Sequence, residues 1–312
     1  MPRPTMPRML RALALLALLL AAPRHARAQE MARLAEQADS AESAGRFQAA
    51  GELYERAFAV SGEEMVLRYL AARAWARAGQ PDRAFAALES VVRTGWPHAA
   101  RTRADTLLAP LHADPRWARL IAEADARAAA LDTALRDELL RLAAEDQRVR
   151  AGIGAIVQRH GRASPQADSA FAEMAAADRP VQARLRAIVA ERGWPDRRLV
   201  ADDGAHAAWL LLQHADTAFQ REVLPAVRRA AEAGNARLAD VAYLEDRVLV
   251  GQGRPQRFGT QLRFDAAAGR PALYPIEDEA RVDERRAAAG MGPLADYLAT
   301  QGIDYRGPDR KP

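Results

Sequence analysis

The residues best suited to chemistry in this 312-residue chain lie in two places. One is Gln213-His214-Ala215-Asp216. The other is the stretch Asp246 to Arg286, with Asp246-Arg247, Gln256-Arg257-Phe258-Gly259-Thr260-Gln261, Pro275-Ile276-Glu277-Asp278 and Asp283-x-Arg285-Arg286. In an enzyme, His214 would act as base, Glu277 or Asp278 as acid, and Arg247, Arg285 or Arg286 would hold an anionic group, which suits a hydrolase or transferase. In a binding pocket, Gln213, Asp216, Asp246, Arg247, Thr260, Gln261, Arg285 and Arg286 would contact a ligand. Each has a structural counterpart: His214 as a satisfied core histidine, Glu277-Asp278 as an acidic cap on the next helix, and the two arginines as their counter-ions.

Other chemistry is excluded by residue type. With zero Cys there are no thiolate metal sites, Cys nucleophiles or disulfides. His160, His206 and His214 lack metal-binding spacing, so no metal site and no cofactor are expected. There is no Gly-x-Ser-x-Gly or His-Glu-x-x-His, and Gly251-x-Gly253 follows a helix pattern rather than a strand, unlike a nucleotide loop.

The elements that must position these residues are mostly helical. Trp209-Leu210-Leu211-Leu212 places large apolar groups about 100° apart in succession, so the helix expected over Ala205 to Arg221 is buried nearly all round. Gln213, His214 and Asp216 would then sit on that buried segment and need partners from elsewhere, with Gln213 and Asp216 sharing a face. The Asp246–Arg286 stretch supplies candidates. Asp246-Arg247 closes a helix from about Arg237, and Gln256 to Phe264 and Pro271 to Tyr274 read as a small hairpin. Gly259 permits a bulge or close approach, and Val282 to Ala289 reads as a final helix. Upstream, helices are expected from Leu131 to about Gly152, over Asp168 to Ala177 and over Pro180 to Arg192, with a loop at His160 to Gln166. Gly95-Trp96-Pro97 and Gly193-Trp194-Pro195 each read as a helix stop.

The amino-terminal part repeats. Gly45-x-Phe47-x-x-Ala50-x-x-x-Tyr54-x-x-Ala57 aligns with Gly79-x-Pro81-x-x-Ala84-x-x-x-Leu88-x-x-Val91, 34 positions on. Small Ala38 and Ala72 precede the turns. Over Gln29 to Arg93 the chain resembles tetratricopeptide repeats, although Leu34 and Arg68 stand where that family prefers Trp, and Pro81 where it prefers an aromatic. The piece from Gly95 to Ala130 reads as the cap, with Asp114-Pro115 starting a helix whose Trp117, Leu120 and Ile121 cover the last repeat.

The polar motifs, in their order along Leu135 to Thr300, resemble a bacterial domain family of unknown function, often exported and sometimes fused to helical repeats. The resemblance singles out Gln213, His214, Asp246, Arg247, Gly259, Thr260, Gln261, Glu277, Asp278, Arg285 and Arg286, and implies no activity. Arg257 and Phe258 depart from the apolar residue and Tyr expected there.

Arg3, Arg8 and Arg11, the apolar run Ala12 to Ala22, the helix breaker Pro23 and Ala26-Arg27-Ala28 compose a secretory signal, cleaved before Gln29. The run is shorter than the roughly 20 residues that span a bilayer, so no stable membrane anchor is expected after cleavage. Removing the five arginines of the signal leaves 40 basic against 41 acidic side chains, which argues against a nucleic-acid partner.

The resulting expectation is a mainly α fold: repeat-like helical hairpins, then a mostly helical α+β domain with one β-hairpin. Its parts are a signal peptide over 1–28, repeats with a capping helix over 29–130, a C-terminal domain over 131–301 and a disordered tail over 302–312. The expected role is an exported, periplasmic or secreted, binding or scaffold module with a protein or small-molecule partner. The hydrolase or transferase is the alternative.

Overall fold

A computed structural model describes residues 21–61, 64–96, 98–161, 164–265 and 270–307, with the backbone alone at 21–28, 61 and 270. Most of the expected signal segment, and the last five residues of the tail, lie outside the described residues. The fold is mainly α with one two-stranded antiparallel sheet. It divides into two compact units, one of Arg24–Arg136 with Arg197–Asp203, the other of Asp137–Asp196 with Gly204–Pro312.

The first unit is built from helical hairpins. Helices α1 (Ala21–Ser43), α2 (Phe47–Ser61), α3 (Met65–Arg77) and α4 (Pro81–Arg93) are followed by α5 (Ala99–Ala104), a 3-10 turn (Thr106–Leu111) and α6 (Pro115–Ala129). Gly45 and Gly79, the repeated glycines, take φ of +73° and +68°, which closes each helix in a conformation that side-chain-bearing residues disfavour. Pro23 does not end a helix as expected: α1 is described from Ala21 and contains it. The unit's core joins Leu34, Ala38, Ala50, Tyr54, Ala72, Trp75, Ala84, Phe85 and Leu88 to Leu108, Leu111, Trp117, Leu120 and Ile121. Its buried aromatics keep their polar tips paired: Tyr54 donates to Asp39 and Glu42, Tyr69 to Asp105, and Trp75 to Glu55. Asp114 caps α6 by accepting from Arg116 N, with Pro115 in the first turn.

The second unit contains most of α7 (Thr133–His160), α8 (Pro165–Arg192), the later part of α9 (Arg197–Gln213), α10 (Thr217–Glu232) and α11 (Leu238–Gly251). Next come β1 (Leu262–Asp265), β2 (Arg270–Leu273), a 3-10 turn (Glu279–Arg281), α12 (Val282–Ala288) and α13 (Leu294–Ala299). The strands pair with Leu262 opposite Leu273 and Asp265 opposite Arg270.

Several expected boundaries move. α7 runs on past Gly152 to His160. The two helices expected around Ala177 and Pro180 are one, α8, with Pro180 inside it. Burial explains the continuity, since Phe171 and Met174 anchor the half before Pro180, and Leu185 and Ile188 the half after it. The strand expected from Gln256 starts only at Leu262, because Gln256 makes an isolated parallel bridge to Ile276. α12 is not the last helix. After it, Leu294, Tyr297 and Leu298 on α13 pack with Leu262 and Val282, and Ile303 and Tyr305 pack on the same cluster. The described part of the tail, expected to be disordered, is therefore held by apolar burial and by Tyr305 donating to Glu279.

The largest revision concerns Gln213 to Asp216. One helix was expected from Ala205 to Arg221. Instead α9 ends at Gln213, and Asp216 caps α10 by accepting from Phe219 N. Gln220 holds the turn closed, its Nε2 donating to the carbonyls of Leu212, Gln213 and Ala215. A capping Asp outweighed the apolar run before it, so Gln213 and Asp216 do not share a helix face.

Candidate functional site

Asp246 is the hub of the polar motifs. It sits on α11 with no exposed surface, and its carboxylate accepts from Arg257 N at 2.6 Å, Phe258 N at 3.1 Å, and Thr260 N and Oγ1 at 3.0 and 2.9 Å. Burial pushes the carboxyl pKa up, and the bonds from Thr260, Arg257 and Phe258 oppose that without cancelling it. The 257–260 segment must turn its N–H groups inward to make these bonds. Gly259 allows it, with φ at +71° and a backbone so close to Leu294 that an added Cβ would lie 2.6 Å from Cδ1.

Gln256 and Gln261 extend the network. Gln256 Oε1 accepts from Gln261 N, and its Nε2 donates to the carbonyls of Gln261 and Tyr274. Gln261 Nε2 donates to Thr260 Oγ1, and Tyr297 donates to the Thr260 carbonyl. Thr260 therefore has its hydroxyl donating and accepting at once.

Arg285 and Arg286 were expected, in the structural reading, to neutralise Glu277 and Asp278. They bind carbonyls instead. Arg285 donates to those of Arg257, Glu277 and Asp278, its nearest approach to the Asp278 carboxylate being 4.0 Å. Arg286, 1% exposed, donates to Gly292 and Phe258 and lies over the Tyr297 ring. Asp278 takes a left-handed φ of 45°, pairs with Arg281 and makes no side-chain cap, so the acidic-cap reading also fails there. Two consecutive carbonyls, rather than two carboxylates, grip Arg285.

The two motif regions meet at Arg247 and Gln213. Arg247 Nε donates to Gln213 Oε1 at 2.9 Å, with both side chains buried. His214 turns elsewhere. Its Nδ1 lies 2.9 Å from Asp146 on α7, not beside Glu277 or Asp278. Asp146 also pairs with Arg150 at 2.5 Å, and Arg150 reaches Asp178 on α8 at 3.1 Å. Burial pushes the imidazole pKa down to about 4, helped by the charges of Arg150 and Arg247 and resisted by Asp146. Burial pushes the Asp146 carboxyl up, but the His214 hydrogen bond and charge, with Arg150 and Gln147, leave it below the usual range. At neutral pH the pair is thus a neutral imidazole donating from Nδ1 to a carboxylate. Asp216, exposed, pairs with Arg186 as well as capping α10.

Asp146, Arg150, Asp178 and Tyr297 were not singled out from the sequence. Asp146 and Arg150 had a usable signal, an acid and a base four apart in a helix. Nothing local joined them to His214, 68 positions away. Among the described residues no group of three or more His, Cys, Asp or Glu is placed to hold a metal ion, and no helix is long and apolar enough to cross a membrane.

The model of a family of unknown function, DUF6624, matches residues 133–306, over half of the chain and the whole of the polar network. No curated protein and no solved structure matches it.

Proposed function

This chain belongs to the DUF6624 family, and we propose that it is an exported helical-repeat protein whose C-terminal domain is a protein- or ligand-binding or scaffold module. The observation that carries this reading is the Asp246 carboxylate, spent wholly on holding the 257–260 segment. Thr260, Gln261 and Arg286 are buried in the same network, as structural members rather than reacting groups. Such a network fixes a shape, which is what recognition needs. The proposed organisation is a signal peptide over 1–28, tetratricopeptide-like repeats over 29–130 that offer a partner surface, the family domain over 131–301 and a tail over 302–312. The 34-residue repeat and the helical hairpins support the middle assignment.

Cell fractionation with amino-terminal sequencing tests export, and native mass spectrometry of the purified chain tests binding. Processing before Gln29 and a retained small molecule or protein are expected. An unprocessed chain confined to the cytoplasm sinks export, and a chain that carries and captures nothing sinks binding.

A second reading, a hydrolase or transferase, draws on His214 and Asp146. An imidazole whose Nδ1 is tied to a carboxylate is oriented to take a proton at Nε2. Turnover of ester, phosphoester or glycoside substrates that falls roughly 100-fold or more in a folded His214→Ala variant would support it. Equal turnover in the variant would end it.

A further inference from the structure

We propose that residues 197–203 form a latch with two states, one bent and seated as described above, the other straight and released. The segment belongs to the first unit, while the chain just before it and just after it belongs to the second. Its backbone leaves the helical course of α9 at two residues. Val200 has φ −131° and ψ 18°, and Ala201 has φ +59° and ψ 178°. The Ala201 dihedrals lie in a region that glycine alone occupies without strain, yet the position holds alanine. Both residues are wholly buried. A strained backbone persists only where its surroundings hold it, and such residues gather at switch points.

The first unit supplies that hold at three places. Gly95 takes φ +81° and lies so close that an added Cβ would stand 2.6 Å from the Arg197 carbonyl oxygen and 3.3 Å from the Ala201 Cα. The Leu199 carbonyl accepts from Asp132 N at 2.8 Å, and Arg136 Nε donates to Asp203 Oδ1 at 2.8 Å. The released state needs little rearrangement. The chain on either side of the break is already helical, so helical φ and ψ at Val200 and Ala201 alone would make 197–213 one straight helix. Strain at Ala201 favours that state, whereas burial of Val200 and the three contacts oppose it. Two packings of one segment balanced in this way make a bistable element. α9 ends at Gln213 and leads into the turn bearing His214, so the latch acts on the helix that positions both. It goes beyond the binding reading and does not depend on it.

Native-state hydrogen exchange of the full chain, followed by NMR, tests the latch. The Asp132 amide loses its acceptor on release, so it should exchange faster than buried amides of α4, such as that of Leu88, which open only on global unfolding. Ala201→Gly relieves the strain of the seated state and disfavours the straight helix, and should slow Asp132 exchange roughly tenfold or more. Gly95→Ala should speed it by a similar factor. If that variant fails to fold, Asp203→Asn removes the ion pair with Arg136 at the surface and should speed it about threefold. Asp132 exchanging no faster than Leu88 in wild type would mean that the segment never releases short of unfolding, and would overturn the latch. So would Asp132 exchange left unchanged by Ala201→Gly, or by whichever of the other two variants folds.

Discussion

Thr260 meets Asp246 twice. The carboxylate Oδ2 accepts the Thr260 backbone N–H at 3.0 Å and its hydroxyl at 2.9 Å, with both residues wholly buried. The double contact ties α11 to the chain 14 positions later and sets the direction of everything from Gln256 to the hairpin. Arg286 and Tyr297 approach the same segment through the carbonyls of Phe258 and Thr260, so its donors and acceptors are satisfied from opposite sides.

Removing the carboxylate should therefore be severe. Asp246→Ala leaves the backbone N–H groups of Arg257, Phe258 and Thr260 and the Thr260 hydroxyl without their acceptor, the two at Thr260 being fully buried, and each unpaired buried group costs about 1–3 kcal/mol. The expected result is a loss of 3 kcal/mol or more, on the order of a broken buried charged network. Urea unfolding measures it, and a midpoint unchanged from wild type would show that the segment is held by other means.

Thr260 separates the hydroxyl from the backbone contact. Thr260→Ala should cost about 1–3 kcal/mol, because Gln261 Nε2 loses its acceptor and Asp246 loses a donor. Thr260→Ser keeps the hydroxyl and should recover most of it. Equal destabilisation by Ser and Ala would assign the effect to the lost methyl.

How much of this could be read beforehand depends on the range over which each residue's partner is fixed. The helical hairpins were legible because Gly45 and Gly79, and the small residues 34 apart, report contacts between near neighbours in sequence. The Asp246–Arg286 stretch was legible as unusual, and its tie to Gln213 through Arg247 follows from the need of buried polar groups for partners. The partner of His214 was not. Asp146 lies in a helix legible only from its apolar spacing, and the contact of α7 with the 213–216 turn is what brings them together. The break after Gln213 was hidden by Trp209 to Leu212, whose continuous apolarity argued for a longer helix, whereas Asp216 decides the issue as an N-cap.

Gly259 gives a backbone test. Its φ of +71° disfavours any side chain, and a Cβ would press on Leu294 at 2.6 Å and on Ile276 at 3.2 Å. Gly259→Ala should cost about 1–3 kcal/mol from the strained dihedral, plus the displacement of Leu294. Thermal unfolding checks this. Shortening the obstruction with Leu294→Ala in the same chain should make the two effects less than additive, and strict additivity would mean that Gly259 and Leu294 do not press on each other.

His214 predicts how stability depends on pH. Its pKa is about 4 in the fold, below the ordinary imidazole value of 6.5 that holds in the unfolded chain. Between those values the unfolded chain binds the proton that the native imidazole refuses. The stabilisation from keeping His214 neutral is therefore complete above about pH 6.5 and is lost progressively as pH falls toward 4. Asp146, with its pKa lowered, adds a loss of the same sign only below the usual carboxylate value. Asp178 and Asp246, with theirs raised by burial, act in the opposite sense because the native state holds their protons more tightly. Replacement by a residue that does not titrate isolates the histidine. His214→Asn should be less stable than wild type at pH 7, and the gap should narrow as the buffer is brought to pH 4.5. Urea midpoints at four or five pH values measure it, and a gap constant across that window would mean that the imidazole is not held neutral in the fold.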